Sequence, residues 1–350
     1  MPSPRKAGSS SHLYAISALS PTQAWAVGDR SVDEGAPLIY RWDGRRWRES
    51  APAPVPDSYL HDVVAISSND VWTVGHQDRD DFMPDLSLTE HWDGVSWSIV
   101  PSPNPSQDRF YGENYLAGVA AVASDDVWAV GYQQTDRGYS ELIIHWNGVE
   151  WTLIDPLPGS YRVLTDVVKL SASDIWAVGY SFTFGAGYQG LFMHWDGTKW
   201  SNVAGPRGDK GFYLHGVTAL SPSDIWAVGD GGGYPVLPVT LHWDGTAWSF
   251  VDISNFTPEF GSLKAVTGLG TDDVWAVGYY RETLGGKDES LLEHWDGVAW
   301  SKVEIPNVAR ALNQLYDLAP DRAGGLWTVG YFYPTDFVKP ISTLILRGIP

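Results

Sequence analysis

The 350-residue sequence contains no cysteine, which excludes a disulfide framework, a thiolate metal site and a cysteine nucleophile. Basic residues are also scarce: 23 lysines and arginines face 42 aspartates and glutamates, leaving a formal charge of −19. Nucleic acids and anionic membranes attract basic surfaces, so this charge predicts neither as a partner. No apolar run approaches the ~18 residues of a membrane-spanning helix. Residues 13–19 have the apolar character of a signal-peptide core, but they align with a repeated strand, so we predict no signal peptide.

One short motif, AWAVG at residues 24–28 with variants such as VWTVG, occurs seven times along the chain. Successive motif tryptophans are separated by 47, 56, 48, 50, 49 and 52 residues, and such a period indicates a repeat architecture. Large and small side chains alternate within the motif, as expected for a strand stacked between two sheets. The motif tryptophans are Trp25, Trp72, Trp128, Trp176, Trp226, Trp275 and Trp327.

Each repeat except the last contains four strand signals, which in the first repeat cover residues 13–19, 24–28, 38–42 and 46–50. An Asp-Gly or Asn-Gly pair separates the third from the fourth and predicts a hairpin. Four antiparallel strands per fifty residues predict an all-β, seven-bladed β-propeller. The alternatives are a β-solenoid and a large sandwich, but a solenoid has shorter, parallel strands and a sandwich gives no reason for such regular hairpins.

The repeats predict one propeller domain over residues 13–350, preceded by an N-terminal segment, residues 1–12. The last repeat is short, because Gly348 stands where a Trp-Asp-Gly hairpin is expected and no fourth strand follows. Residues 2–9 are the candidate closing strand, so the last blade is predicted to be incomplete or closed by this segment. The repeats cover residues 13–59, 60–115, 116–163, 164–213, 214–262, 263–314 and 315–350.

The motif order resembles that of kelch-type propellers, including the galactose-oxidase central domain. It is especially similar to a group of bacterial propellers that repeat WAVG…HWDG…W, and the resemblance covers nearly all of the chain. This resemblance implies the propeller fold and favours an extracellular location. The kelch Gly-Gly pair is reduced to one glycine here, and the cysteine of the galactose-oxidase copper site is absent. Fold similarity by itself does not imply activity.

The two faces of the predicted disc differ in their connections. One carries short, near-identical turns, and the other carries long, dissimilar loops such as residues 76–87, 101–115 and 180–190. Function on a rigid scaffold concentrates in variable loops, so we predict that this loop face binds the ligand. The four histidines outside the repeat pattern map to this face, whereas the five that precede third-strand tryptophans belong to the repeat. The four are His12, His61, His76 and His215.

Three sets of candidate site residues lie on the loop face, at equivalent positions of the repeats. The first set follows the motif glycine: Asp29, His76, Tyr132, Tyr180, Asp230, Tyr279 and Tyr331. The second lies at the predicted mouth of the axial channel: Tyr14, His61, Ala117, Thr165, His215, Lys264 and Tyr316. The third follows the second by one residue and includes Asp62, Asp166 and Asp317.

These sets support two hypotheses of different classes. An aromatic rim over a polar floor suits a glycan, a peptide or a small amphiphile, and the first hypothesis is a binding propeller. The second is a hydrolase or isomerase that uses His61, His215, Asp62, Asp166 and Asp317 as acid–base groups. We expect no organic cofactor and a monomer, and a divalent metal ion at the axial mouth stays open as an alternative.

Overall fold

The computed structural model describes residues 9–31, 35–79, 83–108, 112–136, 138–157, 159, 161–208, 210–253, 258–283, 285–308, 311–321, 323–334 and 340–348. Within these ranges the chain forms β-strands and no helix. No described segment is therefore a helix long and apolar enough to cross a bilayer. The strands form seven antiparallel sheets, each from consecutive strands, and this confirms the predicted seven-bladed propeller.

The first six blades have four strands each, numbered here from the innermost outwards. Blade 1 contains β1 (Ser10–Ser20), β2 (Gln23–Ser31), β3 (Gly35–Trp42) and β4 (Trp47–Glu49). Blade 2 contains β5 (Ser58–Ser67), β6 (Asp70–Gln77), β7 (Leu86–Trp92) and β8 (Trp97–Ile99). Blade 3 contains β9 (Glu113–Ala123), β10 (Asp126–Thr135), β11 (Gly138–Trp146) and β12 (Trp151–Ile154). Blade 4 contains β13 (Arg162–Ser171), β14 (Asp174–Thr183), β15 (Gly187–Trp195) and β16 (Trp200–Asn202).

The remaining blades continue this order, and the described part of the last one has three strands. Blade 5 contains β17 (Phe212–Ser221), β18 (Asp224–Gly231), β19 (Pro238–Trp243) and β20 (Trp248–Val251). Blade 6 contains β21 (Phe260–Gly270), β22 (Asp273–Arg281), β23 (Glu289–Trp295) and β24 (Trp300–Lys302). Blade 7 contains β25 (Ala311–Pro320), β26 (Leu326–Pro334) and β27 (Ser342–Gly348).

The predicted hairpins join the third and fourth strands through four residues. In blade 2, Trp92 pairs with Trp97, and the Asp93 carboxylate accepts the N–H groups of Val95 and Ser96, each at 2.8 Å. Gly94 has a φ of 98°, in the left-handed region that favours glycine. The aspartate side chain and the glycine backbone therefore both close the turn.

A β-bulge interrupts the innermost strand of every blade. In blade 2, Leu60 pairs with Gly75 and Asp62 with Val74, which leaves His61 as the extra residue. The motif glycine is required at this point, because a Cβ on Gly75 would lie 1.8 Å from the Tyr59 carbonyl oxygen. The bulge explains why one residue per blade leaves the regular alternation of the strand.

The hydrophobic core consists of seven clusters, one between each pair of consecutive blades. The motif tryptophans are 0–8% exposed. Trp72 of blade 2 illustrates the packing, since its ring lies 5.0 Å from Trp146 and 5.3 Å from Trp151 of blade 3. Tryptophan therefore serves blade-to-blade packing.

The ring closes through contacts between blades 7 and 1. Ser11 donates its N–H to the Ile341 carbonyl at 3.1 Å, and Trp327 packs at 5.4 Å from Trp42 and 5.3 Å from Trp47. The predicted closing strand, residues 2–9, falls almost wholly on residues 1–8, which lie outside the described residues.

Candidate functional site

The bulges place one side chain per blade where the seven innermost strands begin on the loop face. The residue two positions before each bulge residue pairs with a residue of the second strand. We call these two residues the flanking pair of that blade. We call these three positions of each blade the axial mouth. The bulge residues are Tyr14, His61, Ala117, Thr165, His215, Lys264 and Tyr316. Their flanking pairs are His12–Asp29, Tyr59–His76, Tyr115–Tyr132, Val163–Tyr180, Tyr213–Asp230, Ser262–Tyr279 and Gln314–Tyr331.

Aromatic rings form a continuous arc along one side of the axial mouth, from blade 7 to blade 3. The Tyr14 ring lies 5.7 Å from Tyr316 and 6.0 Å from His61. His61 stacks on Tyr115 at 4.4 Å, and Tyr115 stacks on Tyr132 at 4.9 Å. These separations are typical of favourable aromatic pairs, so the arc is a preformed apolar surface with polar edges.

A directed chain of hydrogen bonds runs through this arc in blades 2 and 3. The Tyr115 hydroxyl lies 3.2 Å from His61 Nδ1, and His61 Nε2 lies 2.8 Å from His76 Nδ1. His76 Nε2 lies 3.0 Å from the Asp78 carboxylate. Every donor then has an acceptor if both imidazoles are neutral, with Tyr115 donating at one end and His76 at the other. Burial lowers the pKa of both His61 and His76, in agreement with this assignment.

The opposite side of the axial mouth, in blades 5 and 6, carries a charged cluster. His215 Nε2 lies 2.8 Å from the Asp230 carboxylate, which also accepts a 2.5 Å hydrogen bond from Ser262. Lys264 Nζ lies 3.3 Å from His215 Nε2, 3.7 Å from Asp230 and 5.6 Å from the Tyr279 ring centroid. The lysine and the aspartate therefore offset each other's charge at close range.

Burial governs the ionisation of this cluster. It lowers the pKa of Lys264, although Asp230 opposes the shift. It also lowers the pKa of His215, and the nearby Lys264 charge adds to the effect. Burial alone would raise the pKa of Asp230, yet the hydrogen bond from His215 and the charge of Lys264 hold it below its usual range. Such perturbation by burial plus a specific charge partner is typical of functional sites.

The three candidate aspartates lie one residue beyond the bulge and tie neighbouring blades together. Asp62 accepts the N–H of Val63 at 2.7 Å with one carboxylate oxygen and the N–H of Val119, in blade 3, at 2.7 Å with the other. Both oxygens are therefore occupied by backbone donors. Asp166 binds Val167 and Val217, and Asp317 binds Leu318 and Ile16, in the same way.

These three carboxyls have raised pKa values because they are buried. The pKa of Asp166 is about 7 and that of Asp317 about 8, with the backbone hydrogen bonds opposing the shift in each case. The pKa of Asp62 is raised well above its usual value by burial and then by the charges of the other two. The three groups therefore act on one another across the axis.

Blades 7 and 1 complete the axial mouth with hydroxyl contacts. His12 Nδ1 lies 3.1 Å from Asp29, and the Tyr331 hydroxyl donates to Tyr316 at 2.7 Å. Burial raises the phenol pKa of Tyr14, and the neighbouring Asp29 adds to this shift. The tyrosines of this sector are therefore neutral hydrogen-bonding groups.

A second aromatic feature leaves the axial mouth and crosses the loop face of blade 4. Tyr180 lies 5.0 Å from Tyr213, and Tyr213 lies 5.0 Å from Tyr188. Phe182 continues the row at 5.0 Å from Tyr188 and 5.9 Å from Tyr161. We call these five residues the aromatic strip. Tyr188 is 42% exposed and Tyr161 is 47% exposed, and the other three residues are half-buried, so solvent reaches the strip.

The outer end of the aromatic strip borders a groove of about 470 Å³ whose walls include Tyr161, Phe182 and Phe184. Tyr161 has a φ of 58°, a left-handed conformation that is uncommon for an aromatic residue. Beneath the groove, Arg162 forms a buried ion pair with Glu141 at 3.0 Å. A buried pair thus anchors the residue next to Tyr161 and holds this part of the loop in place.

The predicted site residues divide into separate groups. The structure brings His61 and His76 together, and His215 together with Asp230 and Lys264, but His61 and His215 belong to different networks. Sequence reasoning did not assign Ser262 to the site, because its position carries no repeat-breaking pattern. Tyr180 of the aromatic strip belongs to the first predicted set, whereas Tyr161, Tyr188 and Tyr213 stand out in the sequence only as loop aromatics, and the continuity of the strip depends on packing. Among the described residues, no group of three or more His, Asp or Glu side chains is arranged to hold a metal ion.

Comparisons with known proteins identify the fold. No family model matches the chain, and no curated protein matches its sequence. The solved structure of YCF48 bound to D1 peptide is similar over 99% of this chain and 96% of its own, at 14% identity and a TM-score of 0.58. The WD40 repeats of RRP9 match over 98% and 96%, at 13% identity and 0.59. SapL1 lectin in complex with α-methyl fucoside matches over 85% and 97%, at 14% identity and 0.51. At these identities the similarity establishes the β-propeller fold.

Proposed function

We propose that this protein is a ligand-binding propeller whose loop face binds a glycan or an extended peptide. The observation that carries the proposal is the aromatic strip, a row of five rings that leads from the axial mouth to a groove at the edge of blade 4. A contiguous row of partly exposed aromatic rings is a candidate surface for a partner to cover.

The chemistry of the strip suits either ligand class. Aromatic rings stack on the apolar face of a sugar or on peptide side chains, while tyrosine hydroxyls satisfy polar groups at the ligand edge. The axial mouth adds hydrogen-bonding groups at one end, including the Asp78–His76–His61 chain and the Asp230–His215–Lys264 cluster. Since the chain carries a net charge of −19, we propose a neutral or cationic ligand rather than a nucleic acid or an anionic membrane.

The similar structures include a propeller bound to a peptide and a lectin bound to a fucoside. Both ligand classes therefore occur on this fold, which is consistent with the proposal without selecting between them. The kelch-like relationship and an extracellular location stay predictions.

The proposal is tested by screening the full chain on a glycan array and against a peptide library, followed by titration of the best ligand. We expect Tyr188→Ala to weaken binding roughly tenfold or more, because Tyr188 occupies the middle of the aromatic strip. Phe250→Ala is the matched control, since Phe250 is 41% exposed and lies outside the strip. Equal losses in both variants, or no ligand in either screen, would contradict the proposal.

A second function, hydrolase or isomerase activity at the axial mouth, is favoured by the directed hydrogen-bond chain from Tyr115 to Asp78. Such a chain can move a proton between a ligand and a carboxylate. In this alternative His61 and His215 are the acid–base groups, and we assign Asp62, Asp166 and Asp317 to blade coupling because backbone N–H groups occupy their oxygens. A substrate screen in which His61→Ala abolishes turnover of a compound would support this function.

A further inference from the structure

The interface between blades 6 and 7 lacks a pair of tryptophans that other interfaces possess. In blade 5, for example, Trp226 contacts Trp295 at 4.9 Å and Trp300 at 5.4 Å, both from blade 6. The corresponding residue of blade 6 is Trp275. Blade 7 has Gly348 at the third-strand position, because Gly348 pairs with Leu326 just as Trp295 pairs with Val274. The described part of blade 7 also has no fourth strand, so within the described residues Trp275 has neither of these tryptophan partners.

An apolar groove of about 360 Å³ occupies this place. Trp275, Leu292, Val303, Ile305 and Leu346 line it, together with Arg347 and Gly348. One side of Trp275 is covered by its own blade, where His294 stacks at 4.1 Å. Its other side faces the groove, and Trp275 is accordingly 8% exposed, compared with 0–3% for the other six motif tryptophans.

Among the described residues that line the groove, only Trp275 is aromatic. The 18 other tryptophans occupy repeat positions elsewhere in the ring. Residues 1–8 and 349–350, which lie outside the described residues, contain no aromatic residue. The six other interfaces have tryptophans of the next blade in the same core cluster as the motif tryptophan or within ring contact of it. The molecule itself thus shows which side chain the position accepts.

We propose that this groove binds the indole of a tryptophan on an extended segment of a partner protein. The indole would contact Trp275 as Trp295 and Trp300 contact Trp226, at separations that favour aromatic pairs. A tryptophan that fills an apolar pocket is a frequent source of binding energy at protein interfaces. The groove shares no residue with the axial mouth or the aromatic strip, so this site is independent of the proposed loop-face function.

The chain provides its own probe, the peptide of residues 297–306 (GVAWSKVEIP), which contains Trp300 and fills the equivalent place on blade 5. Fluorescence anisotropy of the fluorescein-labelled peptide with the full chain measures binding. We expect saturable binding, and binding roughly tenfold weaker for the same peptide with Trp300→Ala. No binding at about 1 mM protein, or equal binding of both peptides, would overturn the proposal.

Substitutions in the groove locate the binding. Gly348→Trp restores the absent third-strand indole, and a Cβ at Gly348 meets no atom within 4 Å, so the backbone tolerates it sterically. We expect this variant to lose peptide binding and to melt at a higher temperature. Val298→Trp is the matched control, because Val298 is 83% exposed on the hairpin of blade 6 and should leave binding unchanged. Retained binding in a folded Gly348→Trp variant would contradict the location.

Two further variants separate the remaining outcomes. Leu346→Ala removes part of a half-buried groove wall and should weaken the peptide severalfold even if Gly348→Trp does not fold. Deletion of residues 1–8 should leave the affinity unchanged. If the peptide binds only after this deletion, the N-terminal segment is the occupant and a partner protein is not.

Discussion

The nine histidines form two groups that the propeller uses differently. Five belong to the repeat, and each has its Nε2 atom 2.8–3.0 Å from the aspartate that begins the second strand. The same five stack on the motif tryptophans at 4.1–4.5 Å. The four others lie at the axial mouth, and their partners differ: His12 contacts Asp29, His61 contacts His76, and His215 contacts Asp230.

This contrast shows how a repeat protein separates stability from binding. The five repeat histidines share the same surroundings because every blade must pack against the next one. A position whose residue and partners change from blade to blade is not fixed by that shared requirement, so it is available for a ligand. Blades 1 and 7 also cover their motif tryptophan, although they lack the repeat histidine. Arg41 takes its place 5.3 Å from the Trp25 ring centroid, and Arg347 takes its place 4.9 Å from that of Trp327.

The largest effect is expected at a repeated position. Trp176→Ala should lower the free energy of unfolding by about 3–5 kcal/mol, because it removes a buried aromatic ring between blades 4 and 5. Urea denaturation followed by circular dichroism measures the change. Tyr188→Ala, on the exposed strip, should cost less than a third of this value. A small loss at Trp176 would show that the tryptophan cores are not the source of stability.

The axial aspartates qualify the contrast, because they vary between blades and yet tie blades together. Their carboxyl pKa values, about 7 for Asp166 and about 8 for Asp317, lie above the unfolded value near 4, so the folded state holds protons that the unfolded state releases. Stability should therefore be highest below the unfolded pKa of these groups and fall by roughly 2 kcal/mol as the pH rises from about 6.5 to 8.5. Denaturation midpoints across this window measure the slope.

Asp317→Asn should flatten this pH dependence, although Glu90 and Glu293, with pKa values of about 7, keep part of it. The lowered pKa values of His61, His76 and His215 act in the opposite direction at lower pH, so the window begins at about 6.5. An unchanged slope in the variant would mean that Asp317 is ionised throughout. The asparagine side chain also directs an N–H group toward a backbone N–H donor, which lowers the stability of the variant at every pH. The pH dependence of the unfolding free energy is therefore the quantity to compare, and its absolute value is not.

The unrepeated histidines should affect binding and leave the fold unchanged. Combined His61→Ala and His215→Ala substitutions should weaken the ligand found by screening at least tenfold, which is about 1.4 kcal/mol. Isothermal titration calorimetry measures the affinity, and thermal denaturation checks that the fold is retained. A ligand bound on the short-turn face, with its affinity unaffected by this variant, would show that loop diversity is a poor guide to the site.

The repeat histidines should show the reverse behaviour and the smallest effect. His145→Ala and His242→Ala each remove a hydrogen bond to a turn aspartate and a contact with a motif tryptophan. Because these side chains are partly exposed, we expect a loss of about 1 kcal/mol of unfolding free energy each and no specific change in ligand affinity. A selective loss of binding would remove the distinction between the two groups.

Much of the fold could be predicted because its determinants are local in sequence. Alternating tryptophan and valine indicate a strand, Asp-Gly marks a hairpin, and chain direction then assigns Tyr14, His61 and His215 to one face. The β-bulge that distinguishes these residues could not be predicted from the sequence of a single repeat. It depends on the register between two strands, where Gly75 meets the Tyr59 carbonyl oxygen.

The sequence by itself determined the number of blades, the strand order, the identity of the packing residues and the face that carries variable loops. Only the tertiary structure decided which unrepeated residues meet: His61 with His76, Lys264 with His215, Asp317 with the backbone of Ile16, and Tyr188 with Phe182 and Tyr213. It also decided that one side of Trp275 faces a groove. The reason is that these contacts depend on how strands and blades pack around the axis: Lys264 and His215 are 49 residues apart in the sequence, and Asp317 and Ile16 are 301 residues apart.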